Sequence, residues 1–246
     1  MIPKPVPILG IPVHPVTMAE TLLRVHEFMA APHLHQIATV NPEFVMQAQG
    51  NEPFRQTLQE SDLCIPDGIG LVWASRWLKR PLPERVPGSE LIYHIAALAA
   101  QKQWRLFLLG AAPGVAEEAA AILQDKFPGL VIAGTYAGSP DPAMNEAIVD
   151  MVNGSGADIL YVAYGAPKQD LWIARNKSAL TTVRLAMGVG GSLDFITGRS
   201  QRAPKWLQRL GLEWLYRLLR EPWRWRRMLA LPRFAWQILF TGQKVP

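Results

Sequence analysis

The stretch WRLFLLGAAPGVAEEAAAILQDKF, residues 104–127, decides how the fold is read. An apolar run from Leu106 to Leu109 leads into a glycine-containing turn, Gly110 to Gly114, and then into an Ala/Glu-rich helical segment. That is the order of a βα unit. Working outward, QIATVNPEFV (36–45) reads as a strand entering a loop and helix. EPFRQTLQESDLCIPDG (52–68) reads as a helix, a short strand and a turn. LVIAGTYAG (130–138), ADILYVAYGAPKQD (157–170) and TVRLAMGVGG (182–191) are further apolar runs that reach glycine. Repeated βα units imply a Rossmann-like α/β fold, a parallel sheet with helices on both faces. Ligands of such sheets bind beyond the carboxyl ends of the strands, where these glycine-bearing loops fall.

The length of 246 residues suits one large domain, or one domain with an appendage. A single cysteine, Cys64, excludes an intrachain disulfide and fits a reducing compartment. The opening residues, MIPKPVPILGIPVHPVT, carry prolines through their apolar stretch and do not read as a signal peptide. No apolar run approaches the ~20 residues of a membrane-spanning helix. The formal charge of +5 is unevenly spread. Residues 199–246 hold eleven basic and two acidic side chains, a charge of +9, which leaves −4 for residues 1–198. Five of the nine tryptophans lie in that basic segment, among the arginines. The boundary is therefore placed near Gly198. Residues 1–198 are expected to form the α/β core, and residues 199–246 a basic, Trp-rich helical appendage whose partner is an anionic surface, either nucleic acid or membrane.

The loops supply candidate ligand contacts. In GAAPG (110–114), glycine lets backbone N–H groups approach a phosphate at a helix N-terminus, although a tight βα turn explains the motif equally well. Its spacing is not G-x-G-x-x-G, so a dinucleotide fingerprint is absent. GVGGSLDF (188–195) makes a second glycine loop, in which Asp194 either accepts from a base or ribose or caps a helix. IPDG (65–68) is a turn by composition. Because it follows a short apolar run, it also places Asp67 at a strand end, where a carboxylate can act as a general base. YGAPKQD (164–170) presents Lys168 and Gln169 after another strand, either to a phosphate or sugar or to solvent. Tyr136, Gly110, Gly165, Gly188, Gly190 and Asp194 make up the candidate contacts to a nucleotide or sugar. His33 and His35 are too isolated for a metal site. The chain has no Asp-x-Asp triplet. Paired carboxylates suit Mg²⁺ or Mn²⁺, so arginines and backbone amides are expected to neutralise a diphosphate instead, with no metal or other cofactor.

The tail is the most distinctive segment. If residues 212–229 form one helix at ~100° per residue, Arg217, Arg220, Arg224 and Arg227 share an arc of roughly 80°. Leu215, Leu218, Leu219, Trp225 and Leu229 then lie opposite. Pro222 can divide this helix into two. A basic amphipathic helix with Trp anchors reads as interfacial; an ordinary helix covering the core, with solvated arginines, is the plainer alternative.

Six ordered blocks complete the reading: TVNPEFVMQA (39–48), SDLCIPDGIGLVWASRWL (61–78), PERVPGSEL (83–91), YGAPKQD (164–170), GVGGSLDFITG (188–198) and RAPKWLQRLGLEWLYRLLREPWR (202–224). Together they closely resemble the WecG/TagA/CpsF glycosyltransferases, from about Ile8 into the tail. The resemblance implies an inverting, metal-independent transferase at the cytoplasmic face of the membrane. It would move an N-acetylmannosamine-type sugar from UDP to a polyprenyl-diphosphate-linked acceptor, typically undecaprenyl-diphosphate-GlcNAc, in teichoic acid, common antigen or exopolysaccharide assembly. By motif, Thr39 and Asn41 would line the sugar pocket and Asp67 would be the catalytic base. Arg85 and Gln169 would contact the diphosphate or sugar. Arg217, Arg224 and Arg227 would meet the lipid diphosphate, and Arg220 shares their helix face. Pro87 departs from the pattern, where a smaller residue is expected beside Arg85.

Two other classes compete. A nucleotide-sensing module with a nucleic-acid-binding tail is disfavoured because the arginines alternate with Trp and Leu at helical spacing. A nucleotide-sugar epimerase or dehydrogenase is disfavoured by the missing G-x-G-x-x-G. The expected partners are a UDP-sugar, the lipid-linked acceptor and an anionic membrane surface, without nucleic acid; a homo-oligomer stays open.

Overall fold

A computed structural model of the chain describes residues 3–201, 203–204, 207, 213–220, 222 and 225–240. Among the described residues, six strands form one all-parallel sheet: β3 (His35–Val40), β4 (Leu63–Pro66), β5 (Arg105–Gly110), β6 (Val131–Tyr136), β7 (Ile159–Ala163) and β8 (Leu185–Gly188). Their spatial order is β4-β3-β8-β7-β5-β6. Before them, β1 (Val6–Ile8) and β2 (Ile11–Val13) make an antiparallel hairpin. Its two-residue turn, Leu9 and Gly10, takes positive φ at both positions, which matches the twist of the flanking strands.

Alternate strand residues serve the two faces, as the period of 2 requires. Ile37, Leu63, Leu106, Leu108, Ile159, Leu185 and Met187 pack under α1 (Met18–Ala30), α5 (Gly88–Lys102), α6 (Val115–Lys126) and α9 (Ser192–Ile196). On the opposite face, Ala38, Val40 and Cys64 pack under the hairpin with α2 (Pro42–Gln49), α3 (Glu52–Glu60) and α4 (Ile69–Trp77). Phe107, Leu109, Leu160, Val162 and Ala186 pack under α7 (Asn145–Ser155) and α8 (Lys168–Asn176). Nearly continuous apolar runs such as Ile159–Ala163 follow from burial on both faces.

Helix starts are written locally. Thr17 and Glu20 form a capping box on α1. Asn41 and Asn51 cap α2 and α3, each with proline in the first turn. Pro87, the departure noted in the sequence, is the residue preceding α5; its φ of −69° is the value a proline ring sets, so the position accepts it without strain.

The C-terminal segment contains α10 (Glu213–Arg220), α11 (Trp225–Met228) and α12 (Ala230–Phe240). Within 212–229 the described helices are Glu213–Arg220 and Trp225–Met228, with Pro222, which lacks a backbone N–H, between them; the continuity of one helix across 212–229 lies outside the described residues. α12 packs against α2 and α4. Its Phe234 and Ile238 enter the same apolar cluster as Val6, Ile8, Phe44 and Leu71. Burial therefore crosses the compositional boundary at 198/199. No helix among the described residues is long and apolar enough to cross a membrane.

Candidate active site

The carboxyl ends of β3 and β4 lie side by side, and the loops leaving them interlock. Asp67 follows β4 directly, and its N–H donates to the carbonyls of Val40 (2.8 Å) and Ile65 (3.1 Å). A Cβ on Gly68 would come within 2.6 Å of the Pro42 ring, and one on Gly70 within 2.8 Å. Glycine at both positions lets PDGIG close onto TVNP. Asn41 is committed in part to structure, since its Oδ1 accepts from the Phe44 N–H (3.0 Å). Thr39, buried on the opposite face, meets the start of α5, where a Cβ on Gly88 would come within 2.7 Å of its methyl group.

Arg85 ties this corner together. Its Nε donates to the Asp67 carbonyl (2.6 Å), and its Nη2 lies 3.9 Å from Asp67 Oδ1. The same Nη2 pairs with Glu213 Oε2 of α10 at 3.1 Å. All three side chains are partly buried, with Glu213 14% exposed, so water screens the pair less than it would at an open surface. Thr39, Asn41, Asp67 and Arg85 therefore converge, and the tail reaches them through Glu213.

A second group lies at the ends of β7 and β8. Gln169, only 2% exposed, accepts from the Gly190 N–H at 3.0 Å. A Cβ on Gly188 would overlap its side chain. Gln169 thus braces the GVGG loop, and Met187 pairing with Ile37 sets that loop beside the end of β3. Gly110, at φ +100°, leaves its would-be Cβ 2.7 Å from the Ala163 carbonyl carbon, so β5 and β7 close up just before Gly165. Between β5 and β7 the onward connections diverge, β5 leading to β6 and β7 to β8, which makes a topological switch point. Glu117 and Glu118 occupy the first turn of α6 there, and Glu118 pairs with Arg199 (2.7 Å). These carboxylates make that helix end less favourable for a phosphate.

The remaining candidates are spread out. Asp194 lies in α9, and its carbonyl accepts from the Ser200 N–H (3.1 Å). Tyr136 ends β6, the strand at the opposite edge from β4, roughly 24 Å from Asp67 at five strand spacings. Lys168 lines a separate groove with Ser139, Asp141 and Arg175. Of the tail arginines, Arg220 donates to Gln201 (3.4 Å) and lies over the Tyr216 ring, while Arg227 pairs with Glu43 of α2. Arg224 and the Arg217 side chain lie outside the described residues. His35 stacks on Phe28 and faces Asp62 at 3.1 Å, with Lys177 on the other Asp62 oxygen at 2.6 Å. Burial lowers the His35 pKa. Burial works against ionisation of Asp62, but Lys177, the Gln36 N–H and His35 outweigh it and hold the carboxyl below its usual value.

Two residues carry no local sequence signal. Glu213 reads only as an acid in a basic tail, and its partner is 128 residues away. Asp170 reads as the solvated end of a loop, yet it is fully buried, and neither carboxylate oxygen makes a well-formed hydrogen bond. Burial pushes its pKa up to about 7, against a weaker pull from its own N–H and the Gln169 amide.

Comparison with known proteins gives matches over nearly the whole chain. The family described as Glycosyl transferase WecG/TagA/CpsF matches residues 6–245. An N-acetylglucosaminyldiphosphoundecaprenol N-acetyl-β-D-mannosaminyltransferase of Bacillus spizizenii is 37% identical over 203 residues, 82% of this chain and 78% of that protein. The protein of the same name from Bacillus subtilis is 34% identical over the same extent. That from Staphylococcus aureus (strain MRSA252) is 32% identical over 242 residues, 98% of this chain and 94% of its own. With a match from the hairpin into the tail, and with Asp67, Arg85 and the TVNP loop gathered at one corner of the sheet, the chain belongs to the WecG/TagA/CpsF family of glycosyltransferases.

Proposed function

We propose that this protein transfers N-acetylmannosamine from UDP to an undecaprenyl-diphosphate-linked GlcNAc, with inversion, without a metal, at the cytoplasmic face of the membrane. The observation that carries the reading is the Asp67–Arg85–Glu213 arrangement beside Thr39 and Asn41. In this reading Asp67 takes the proton from the acceptor hydroxyl as that oxygen attacks the anomeric carbon. UDP leaves from the opposite face of the sugar, which inverts the anomeric configuration. Arg85 and tail arginines balance the charge that develops on the departing diphosphate. The GVGG loop, braced by Gln169 through the Gly190 N–H, gives the donor space beside the strand ends. The names of the bacterial relatives support the acceptor and the sugar, and the basic appendage supports a membrane-bound acceptor.

The test is a donor screen with the full-length protein, using UDP-sugars against undecaprenyl-diphosphate-GlcNAc. UDP-ManNAc is expected to give the highest kcat/KM, with a product anomer opposite to the donor's and turnover unchanged by EDTA. Faster transfer from another UDP-hexose overturns the donor. Retained configuration, or loss of turnover with EDTA, overturns the mechanism.

A further inference from the structure

We propose that the outer face of α4 is a second membrane contact, a basic and aromatic face that settles on an anionic lipid bilayer beside the C-terminal helices. This rests on the membrane-bound acceptor of the proposed function.

The helix is amphipathic in an unusual way. Leu71, Val72 and Ala74 are buried. On the outer side stand Trp73 and Trp77, 54% and 50% exposed, with Arg76 between them at helical spacing. Lys79 and Arg80 follow, also exposed. No Asp or Glu occurs from residue 69 to 83. Among the described residues, no acidic side chain pairs with Arg76, Lys79 or Arg80.

This end of the helix is held in place. Ser75 Oγ donates to the Val72 carbonyl and accepts from the Leu82 N–H (2.9 Å), and the Arg80 N–H donates to the Ser75 carbonyl. Leu82 is anchored in the core at 2% exposure. Two large aromatic side chains are therefore presented to solvent on fixed backbone.

Charge decides the occupant. Two copies of so basic a face repel each other, whereas anionic headgroups attract it, at about 1 kcal/mol per basic residue near such a surface. Tryptophan favours the membrane–water interface, where its ring is half apolar and its N–H stays wet. A neighbouring helix has a similar exposed side. α12 packs against α4 and leaves Trp236, Leu239 and Phe240 exposed, together with Arg233.

The position of α4 gives the contact a purpose. Gly68 alone separates Asp67 from the helix, whose nine residues span about 13 Å. With α4 lying in the interface, Asp67 is held at the headgroup level, where the diphosphate of a lipid-linked acceptor resides.

The test uses full-length protein in flotation with phosphatidylcholine vesicles, with and without phosphatidylglycerol. Trp73→Ser/Trp77→Ser is expected to weaken binding to the anionic vesicles about tenfold or more. Arg76→Gln/Arg80→Gln should weaken it about fivefold per charge. This second variant, at exposed positions, guards against misfolding, and unchanged thermal midpoints and sedimentation are expected for both. If wild type binds the anionic vesicles and both variants bind equally well, α4 is not a contact and the proposed function stands. If wild type fails to bind at all, the membrane reading of that function falls, and this inference with it. Equal binding to neutral vesicles overturns the role of charge. A shift from oligomer to monomer with binding intact assigns the face to a second copy of the chain.

Discussion

Two neighbouring groups of loops at the carboxyl edge of the sheet are built differently. At β3 and β4 the corner is made of side chains with charge or hydroxyl, and Arg85 links the Asp67 carbonyl to Glu213 of the tail. At β7 and β8 it is made of backbone, with Gly188 and Gly190 held open by one neutral side chain, Gln169. The first arrangement can move a proton and neutralise a diphosphate. The second can offer space. The charged corner depends on a distant segment of the chain, whereas the glycine loop is braced by a residue on the preceding helix, α8. Chemistry and cradle should therefore fail in different ways.

The strongest test of this contrast is Asp67→Asn. Turnover with the lipid-linked acceptor should fall ~10²–10⁴-fold, with the thermal midpoint close to wild type. Near wild-type kcat removes Asp67 from the role of base. The cradle side carries its largest cost in Asp170. Its carboxyl holds a proton up to about pH 7 in the fold but only to about pH 4 when unfolded. The folded state thus binds the extra proton between those values, and this group's contribution falls as pH rises through them. Asp170→Asn should lack that slope, so stability relative to wild type rises by on the order of 4 kcal/mol from pH 4 to pH 7. A parallel pair of pH profiles in denaturant melts refutes it.

Next comes Gly188→Ala, which overpacks against Gln169 and should cost about 1–3 kcal/mol of stability. Adding Gln169→Ala should return most of that cost, and an additive double variant breaks the brace. The smallest effect is expected from Glu213→Gln, which frees Arg85 on one side. A loss of about 1 kcal/mol in transition-state stabilisation is about fivefold in kcat/KM. Unchanged kcat/KM removes Glu213 from transition-state stabilisation.

Much of this was legible in the sequence. The βα order of residues 104–127, the strand at Gln36–Val40 and the placement of Asp67 at a strand end follow from local rules of period and punctuation. Those rules also gave Pro222 as a place where the tail helix can part, and Pro222 lies between the elements Glu213–Arg220 and Trp225–Met228. What was not legible is long-range. Burial of Asp170 depends on what α8 packs against, and the window around it looks like any polar loop. The Arg85–Glu213 pair joins segments with nothing in common locally. The path of α12 is likewise invisible: ALPRFAWQILF is apolar enough for a core or a membrane surface, and it serves the core with Phe234 and Ile238 while exposing Trp236 and Phe240. Composition divides the chain near Gly198, but a side chain's burial is decided by its neighbours in space.

That return of α12 has a bearing on how the protein is made. Val6 and Ile8 precede Phe234, which shares their apolar cluster, by more than 220 residues of chain. At ordinary rates of synthesis, roughly 10–45 s separate the translation of Val6 from that of Phe234. Through that interval the apolar floor under the hairpin waits without Phe234 and Ile238. A nascent chain interrupted before residue 230 would carry the full sheet and an open seam, the kind of surface that chaperones hold and proteases find.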